Sequence, residues 1–406
     1  MKVNSHYSRV LLVAIDQSVS SVSNFIIIWL CLTSLPTNEF GQFSYIWTVI
    51  ALFIVMSRAI FGVPALLDVD SSQESPRTRL SASVTGTFFL GLISCVVSLF
   101  LYFFFDGFEN SDYWLLGLIM LTPLILIQDQ IRYLAIALNQ IKLTIVLDTL
   151  LLAFVLAITS YMILLEFSGF SFILYLAVSY LVVIGIFARI NPIKINYRAT
   201  KLSISSDFRR RYKLTLDAII VSTFGLLGIS LIRIGAGDDG VGVYNGLVFL
   251  FGPVSILTVF ITLGLQTEAN RTKGYLAFRH KAALVLISSI PIIWLLIISS
   301  IPNSYLNNFL GDSTQDILRN AAPFGLAAAL GIGLEVLNLF MRANQKFSAI
   351  VNIRLSIGLV SIGLIMLSIY LSLELKEIIY ALAIANAIGI FLSAIELRKR
   401  VSQFDV

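Results

Sequence analysis

Eight ionisable side chains fall inside or at the ends of strongly apolar stretches of this 406-residue chain: Asp16, Arg58, Asp129, Arg132, Asp148, Asp217, Glu335 and Arg354. Placing one charge at the centre of a spanning helix costs about 2.5–3.5 kcal/mol on insertion scales, so such groups need partners or water. Their chemistry is limited to proton or cation exchange by the carboxylates and oxyanion binding by the guanidiniums, whose planar fork matches phosphate oxygens. By position, Asp16, Asp217 and Glu335 are the ion-coupling candidates. Arg58 has no acidic neighbour in sequence and is the first candidate for a phosphate contact; its alternative is an ion pair with Asp16 or Asp217 from a neighbouring span.

Polar residues extend these charges into stripes. Asp16, Ser20 and Asn24 follow at steps of four with Gln17 and Ser21 alongside, so one face of the first helix is polar over two turns. Such a face lines a hydrated cavity or glues two helices together. Gln128, Asp129, Arg132 and Tyr133 form a second group, in which Asp129 and Arg132 are three apart and suited to pair locally. Glu335, Asn338 and Arg342 form a third. Arg354 lies about 12 Å along its helix from Lys346, deep enough to face the cavity or a partner such as Glu335.

Enzymatic chemistry finds little support. His6 and His280 fall in polar segments, so no histidine cluster binds a metal within the apolar runs. No glycine loop ends in Lys-Ser or Lys-Thr, and no cofactor is implied. Asp68-Val69-Asp70 reads as solvated acids. Cys31 and Cys95 sit in apolar runs as small packing residues.

The elements that must position these groups follow from composition. Apolar residues make up 58% of the chain and charged ones only 13%, against about 25% charged in soluble proteins, so lipid is the main solvent. A span needs about 20 residues. Runs of that size predict an all-α polytopic membrane protein with about 12 transmembrane helices, near 10–34, 41–66, 82–105, 113–137, 143–165, 170–188, 214–235, 242–265, 282–301, 320–341, 347–371 and 377–395. Pro253 kinks the eighth of these. The first run is too long for a signal-peptide core and reads as a retained span.

Orientation tests this count, because cytoplasmic loops are rich in Lys and Arg. Of 28 basic residues, Arg58 and Arg354 lie within spans, and Arg233, Arg319 and Lys376 fall on one side. All the others, Arg132 included, gather on the opposite side, together with both termini. A missed span would reverse the pattern downstream. The net charge of +5 is therefore loop charge and not a nucleic-acid surface.

The stretch from Asn191 to Lys213 is the longest polar segment and reads as a cytoplasmic basic linker (191–213) between two six-helix lobes, 1–190 and 214–406. An offset of 201 residues pairs Asp16 with Asp217, Ser21 with Ser222, Gly41 with Gly242 and Phe43 with Tyr244. An offset of 205 pairs Asn139-Gln140 with Asn344-Gln345. Six crossings per half make these parallel repeats about an axis along the membrane normal.

The segment from Ala14 to Phe25, with Asn38-Glu39-Phe40-Gly41-Gln42-Phe43-Ser44, resembles the opening of bacterial polysaccharide flippases of the Wzx (O-antigen) type. Gln128-Asp129-Gln130-Ile131-Arg132-Tyr133-Leu134-Ala135 is similar to a later segment of the same proteins. They belong to the multidrug, oligosaccharidyl-lipid and polysaccharide exporter superfamily. The resemblance implies alternating access, in which an undecaprenyl-diphosphate-linked oligosaccharide crosses from the cytoplasmic to the periplasmic face of the bacterial inner membrane during lipopolysaccharide biosynthesis. It also implies coupling to a proton or sodium gradient, a cationic central cavity, and membrane lipids and a polysaccharide polymerase as partners.

Arg58, Asp16, Gln17, Ser20, Asn24 and Arg354 would then line the cavity. The nearest rival is a cation-coupled drug exporter of that superfamily, expected to have a smaller, more apolar and acidic cavity. A membrane saccharide polymerase or ligase is a rival from another class, but the longest extracytoplasmic loop, about 302–319, is short and poor in catalytic side chains.

Overall fold

The computed structural model describes residues 3–62, 76–104, 112–138, 140–164, 169–191, 197–255, 257–258, 278–344 and 346–404. Every regular element among them is helical, because in hydrocarbon each backbone N–H and C=O must be satisfied within its own segment. The first half contains α1 (Val3–Ser34), α2 (Thr37–Ser57), a π-helical turn (Arg58–Gly62), α3 (Pro76–Phe104), α4 (Asp112–Ala137), α5 (Ile141–Leu164) and α6 (Gly169–Ile190). The long α7 (Tyr197–Leu250) follows, then α8 (Phe278–Ser299), the short α9 (Asn303–Leu310), α10 (Thr314–Ala343), α11 (Phe347–Tyr370) and α12 (Leu375–Phe404). Asp68-Val69-Asp70 lies outside the described residues.

The protein is an all-α polytopic membrane protein. Among the described residues, 8 helices are long and apolar enough to cross a bilayer, and α8 with α9, bent by 110°, makes a ninth as a broken pair. The apolar parts of α1 and α3, Ser18–Ser34 and Ser81–Val97, are shorter. The seventh and eighth expected spans are two helices that meet at a kink within α7, whose apolar part covers 36 residues. A straight helix of that length would reach about 54 Å, well beyond the ~30 Å of hydrocarbon. The break falls at Gly237, where φ is 69° and ψ −174°, a conformation open to glycine and strained for any other residue.

The chain folds as two compact units, one of residues 1–34 and 46–218, the other of residues 35–45 and 219–406. In unit 1, α1 packs on α5, α4 on α3 and α6; in unit 2, α10 packs on α8 and α12, and α12 on α11. Helix α2 begins in unit 2 and continues in unit 1 from Ile46, whereas α7 passes from unit 1 to unit 2 between Ala218 and Ile219.

Both repeats tie the start of their fifth span to the end of their sixth. In unit 1, Gln140 Nε2 donates to Asn191 Oδ1 at 3.3 Å and Asn191 Nδ2 returns a bond to Gln140 Oε1 at 3.0 Å. In unit 2, Lys346 Nζ donates to the backbone oxygen of Glu396 at 2.5 Å and to its Oε1 at 3.0 Å. Asn191 and Glu396 are 205 residues apart, the offset already seen in the Asn-Gln dipeptides.

One exception to the charge pattern and one expected kink have simple causes. The three basic residues on the acidic side are all neutralised locally: Arg233 meets Asp238 at 2.6 Å, Arg319 meets Glu374 at 2.8 Å, and Lys376 meets Glu374 at 3.2 Å. The kink expected at Pro253 is present: α7 is interrupted at Phe251 and helical residues resume at 252–255, because proline has no N–H to continue the ladder. There Val254 N donates to Phe251 O at 3.0 Å, and the indole of Trp294 takes over the Leu250 carbonyl at 2.9 Å.

Candidate functional site

The buried charges of unit 1 converge on Arg132, which α4 carries in its apolar stretch of 119–136. Its side chain is only 9% exposed, so this residue at the end of an expected span is packed among helices. Helix α1 brings Asp16, whose Oδ2 accepts from Arg132 Nη2 at 3.0 Å. Helix α5 brings Asp148, whose Oδ2 lies 2.9 Å from Arg132 Nε. That contact has ion-pair distance without hydrogen-bond alignment. The other oxygen of Asp148 accepts from Gln128 Nε2 at 2.9 Å.

Arg58 reaches the same cluster from the π turn that follows α2. Its Nη2 and Nε donate to the two oxygens of Asp129 at 2.6 and 2.8 Å, a bidentate pair, and its guanidinium lies over the Tyr133 ring at 5.8 Å. The partner is thus Asp129, not Asp16 or Asp217 as the sequence suggests. The expected local pair of Asp129 and Arg132 exists only at 3.8 Å. On α4, residues 129, 132 and 133 share one helical face, so Asp129 can turn to Arg58 while Arg132 turns to α1 and α5. Helical π turns recur at functional sites, and Arg58, with 36% of its side chain exposed, is the most accessible charge of the group.

Charge counting gives the site its chemistry. Asp16, Asp129 and Asp148 against Arg58 and Arg132 leave one negative charge when all are ionised. Asp16 Oδ1 is buried with no hydrogen-bond partner among the described residues. A bare carboxylate oxygen inside a membrane bundle is costly, and a proton or small cation relieves both the surplus charge and the empty acceptor. Among the described residues no group of three or more His, Cys, Asp or Glu is arranged to hold a metal ion.

The other predicted residues distribute as follows. On α1, Ser20 is half-buried and Asn24 exposed, so the polar stripe runs from a packed end at Asp16 to an open one; the side chain of Gln17 lies outside the described residues. Asp217 is buried on α7 in unit 1. Glu335 and Arg354 form their own ion pair in unit 2 at 2.5 Å. Sequence reasoning notes Asp148 among the charges in apolar runs and Gln128, Asp129, Arg132 and Tyr133 as one polar group, but assigns none of them to the cavity or to ion coupling. The signal for Asp148 is an acid in the midst of an otherwise apolar run.

No family model and no curated protein matches this sequence. Solved structures do match in fold. The chain is similar to a multidrug resistance MATE family transporter of the MOP superfamily in its inward-facing conformation, with 12% identity, 98% of this chain and 99% of that one covered, and a TM-score of 0.72. A MOP superfamily transporter from Pyrococcus furiosus, described by a reversed polarity of its binding pocket, gives 13% identity, 98% and 95% coverage and a TM-score of 0.59. The eukaryotic MATE transporter AtDTX14 gives 10% identity, 95% and 96% coverage and 0.60. The chain therefore has the fold of MATE-type transporters of the MOP superfamily over essentially its whole length.

Proposed function

We propose that this protein is a cation-coupled exporter working by alternating access, with the Arg132 cluster of unit 1 holding the coupling ion. The observation that carries this reading is the surplus carboxylate together with the empty acceptor on Asp16, in a fold whose solved neighbours are transporters. Glu335 is the weaker coupling candidate, because its pairing with Arg354 leaves no charge in excess.

Two cargoes have distinct support. An amphipathic drug-like molecule is supported by the similarity in fold to a multidrug resistance transporter and by the engagement of Arg58 with Asp129, which removes the free guanidinium that a phosphate would need. An undecaprenyl-diphosphate-linked oligosaccharide is supported by the resemblance of Ala14–Phe25 and Gln128–Ala135 to the polysaccharide flippases. On that reading the diphosphate competes with Asp129 for the half-exposed Arg58. The asymmetry of basic residues supports cytoplasmic termini, and the flippase resemblance supports a bacterial inner membrane.

One experiment addresses the mechanism and the cargo together. Wild-type protein in proteoliposomes with a proton or sodium gradient should move a fluorescent amphipathic cation, and Asp16→Asn should abolish the gradient dependence. Equal gradient dependence in Asp16→Asn would falsify the coupling role. If wild type moves no dye but restores surface saccharide to a flippase-deficient host, the cargo is the lipid-linked one.

A further inference from the structure

The two repeats meet backbone to backbone at one point. Within unit 2, a Cβ on Gly41 of α2 would clash with the carbonyl oxygen of Asp238 and lie 2.6 Å from its carbonyl carbon. A Cβ on Gly242 of α7 would lie 2.7 Å from the carbonyl oxygen of Thr37. Thr37 and Asp238, like Gly41 and Gly242, are related by the 201-residue offset, so each helix lays the same carbonyl on the other's glycine. This is the reciprocity of a two-fold contact, in which residue i meets j and j meets i.

A set of polar contacts surrounds the crossing. Gln42 Nε2 donates to Asp238 Oδ2 at 3.1 Å, and Arg233 Nε to Asp238 Oδ1 at 2.6 Å. The Arg233 guanidinium covers the Tyr45 ring at 5.4 Å, and the Tyr45 hydroxyl lies 3.1 Å from Ser230 Oγ. Thr37 Oγ1 lies 2.9 Å from Ser313 Oγ. All of these residues belong to unit 2, yet α2 leaves that unit directly after Tyr45. The first turns of α2 also bury Phe40, Phe43 and Tyr45. Between helices in a bilayer, however, such burial adds little driving force, because lipid is as apolar as the side chains, and the closeness of the crossing depends on glycine.

We propose that the Gly41–Gly242 crossing is a releasable latch that holds the first turns of α2 on α7 in one state of the transport cycle and parts in the other. Helices that approach through glycine gain van der Waals contact and weak Cα–H···O bonds, not large desolvation energies. Such a contact can be remade each turnover. The latch rests on the alternating-access reading and is independent of the cargo.

The test places spin labels at Asn38→Cys and Asp239→Cys, both exposed positions and also 201 residues apart, in full-length protein whose Cys31 and Cys95 are replaced by alanine. Reconstituted protein should show a short and a long distance population. Gly41→Ala should reduce the ratio of short to long by about tenfold or more, and Gly242→Ala by less, while far-UV circular dichroism stays that of the parent. A single distance in the parent that Gly41→Ala leaves unchanged overturns the latch. If Gly41→Ala does not fold, a disulfide between positions 38 and 239 in the otherwise unaltered chain decides: the latch requires transport to stop on oxidation and return on reduction. Undiminished transport by the cross-linked protein overturns it. A parent that moves neither dye nor saccharide counts against the proposed function, while the distance populations still judge the latch.

Discussion

The two units solve the same problem, charge inside a membrane, in opposite ways. Unit 1 gathers five charges from four elements around Arg132 and leaves one carboxylate in surplus. Unit 2 sets Glu335 of α10 against Arg354 of α11, one acid for one base. At the 205-residue offset these two stand within one residue of the positions equivalent to Asp129 and Asp148. The same helices of the repeat thus carry an unbalanced cluster in one half and a balanced pair in the other. On the proposed function, the unbalanced cluster is the one that would exchange a cation, and the balanced pair would not.

The largest effect should come from removing the hub of the cluster. Arg132→Ala strands three buried carboxylates beside Arg58 alone, and breaking a buried pair in this way costs about 3–5 kcal/mol. Thermal unfolding in detergent should show a large drop in midpoint, and a midpoint near that of wild type would mean that the cluster is solvated and not packed. Asp16→Asn should behave differently, with gradient-dependent transport lost at least about tenfold while stability holds or rises, because a neutral amide relieves the surplus charge.

In unit 2, Glu335→Gln should cost about 1 kcal/mol or less, since 42% of the Glu335 side chain is exposed and screening weakens the pair. Pairing it with Arg354→Met should recover part of that loss. If Glu335→Gln instead stops coupled transport as completely as Asp16→Asn, the contrast between the units fails. A smaller contrast lies in the ties between fifth and sixth spans. Lys346→Met should lose about 1 kcal/mol in low salt and less at high salt, whereas Gln140→Leu should lose a similar amount without salt dependence.

The smallest effect concerns the outer loop. Lys376, which donates to its carboxylate, and Arg319 beside it lower the pKa of Glu374 below the ordinary carboxylate value. A depressed folded-state pKa contributes stability that is present above the unfolded value, about 4.3, and is lost as pH falls through the folded one. Midpoints of wild type and Glu374→Gln should therefore differ slightly at neutral pH and converge in acid. The group is exposed, so moderate salt should remove the difference.

Much of this is legible in the sequence, and the reasons are physical. Spans announce themselves because hydrocarbon tolerates few polar residues, and the repeat shows through Gly41 and Gly242 because backbone contact tolerates no side chain there. The partners of Arg58 and Arg132 are not legible. Which helix brings Asp148 beside Arg132 is decided by packing among α1, α4 and α5, and no local pattern around Asp148 records it. Sequence position puts Arg132 near a span end, and only the packing shows that three carboxylates surround it there. The boundary between the seventh and eighth spans is legible: the gap expected between 235 and 242 holds the turn signature Gly235-Ala236-Gly237-Asp238-Asp239-Gly240, and the helix breaks there at Gly237.

The indole bond to the Leu250 carbonyl carries a further implication for biogenesis. Trp294 follows Leu250 by 44 positions, so while the chain is being made this acceptor reaches the bilayer well before its donor. Until α8 arrives, the end of α7 must keep that oxygen near water or near the channel that inserts it, since lipid offers no donor. Helices α7 and α8 should therefore leave the insertion machinery as a pair, and a chain stopped between them should be held there and degraded.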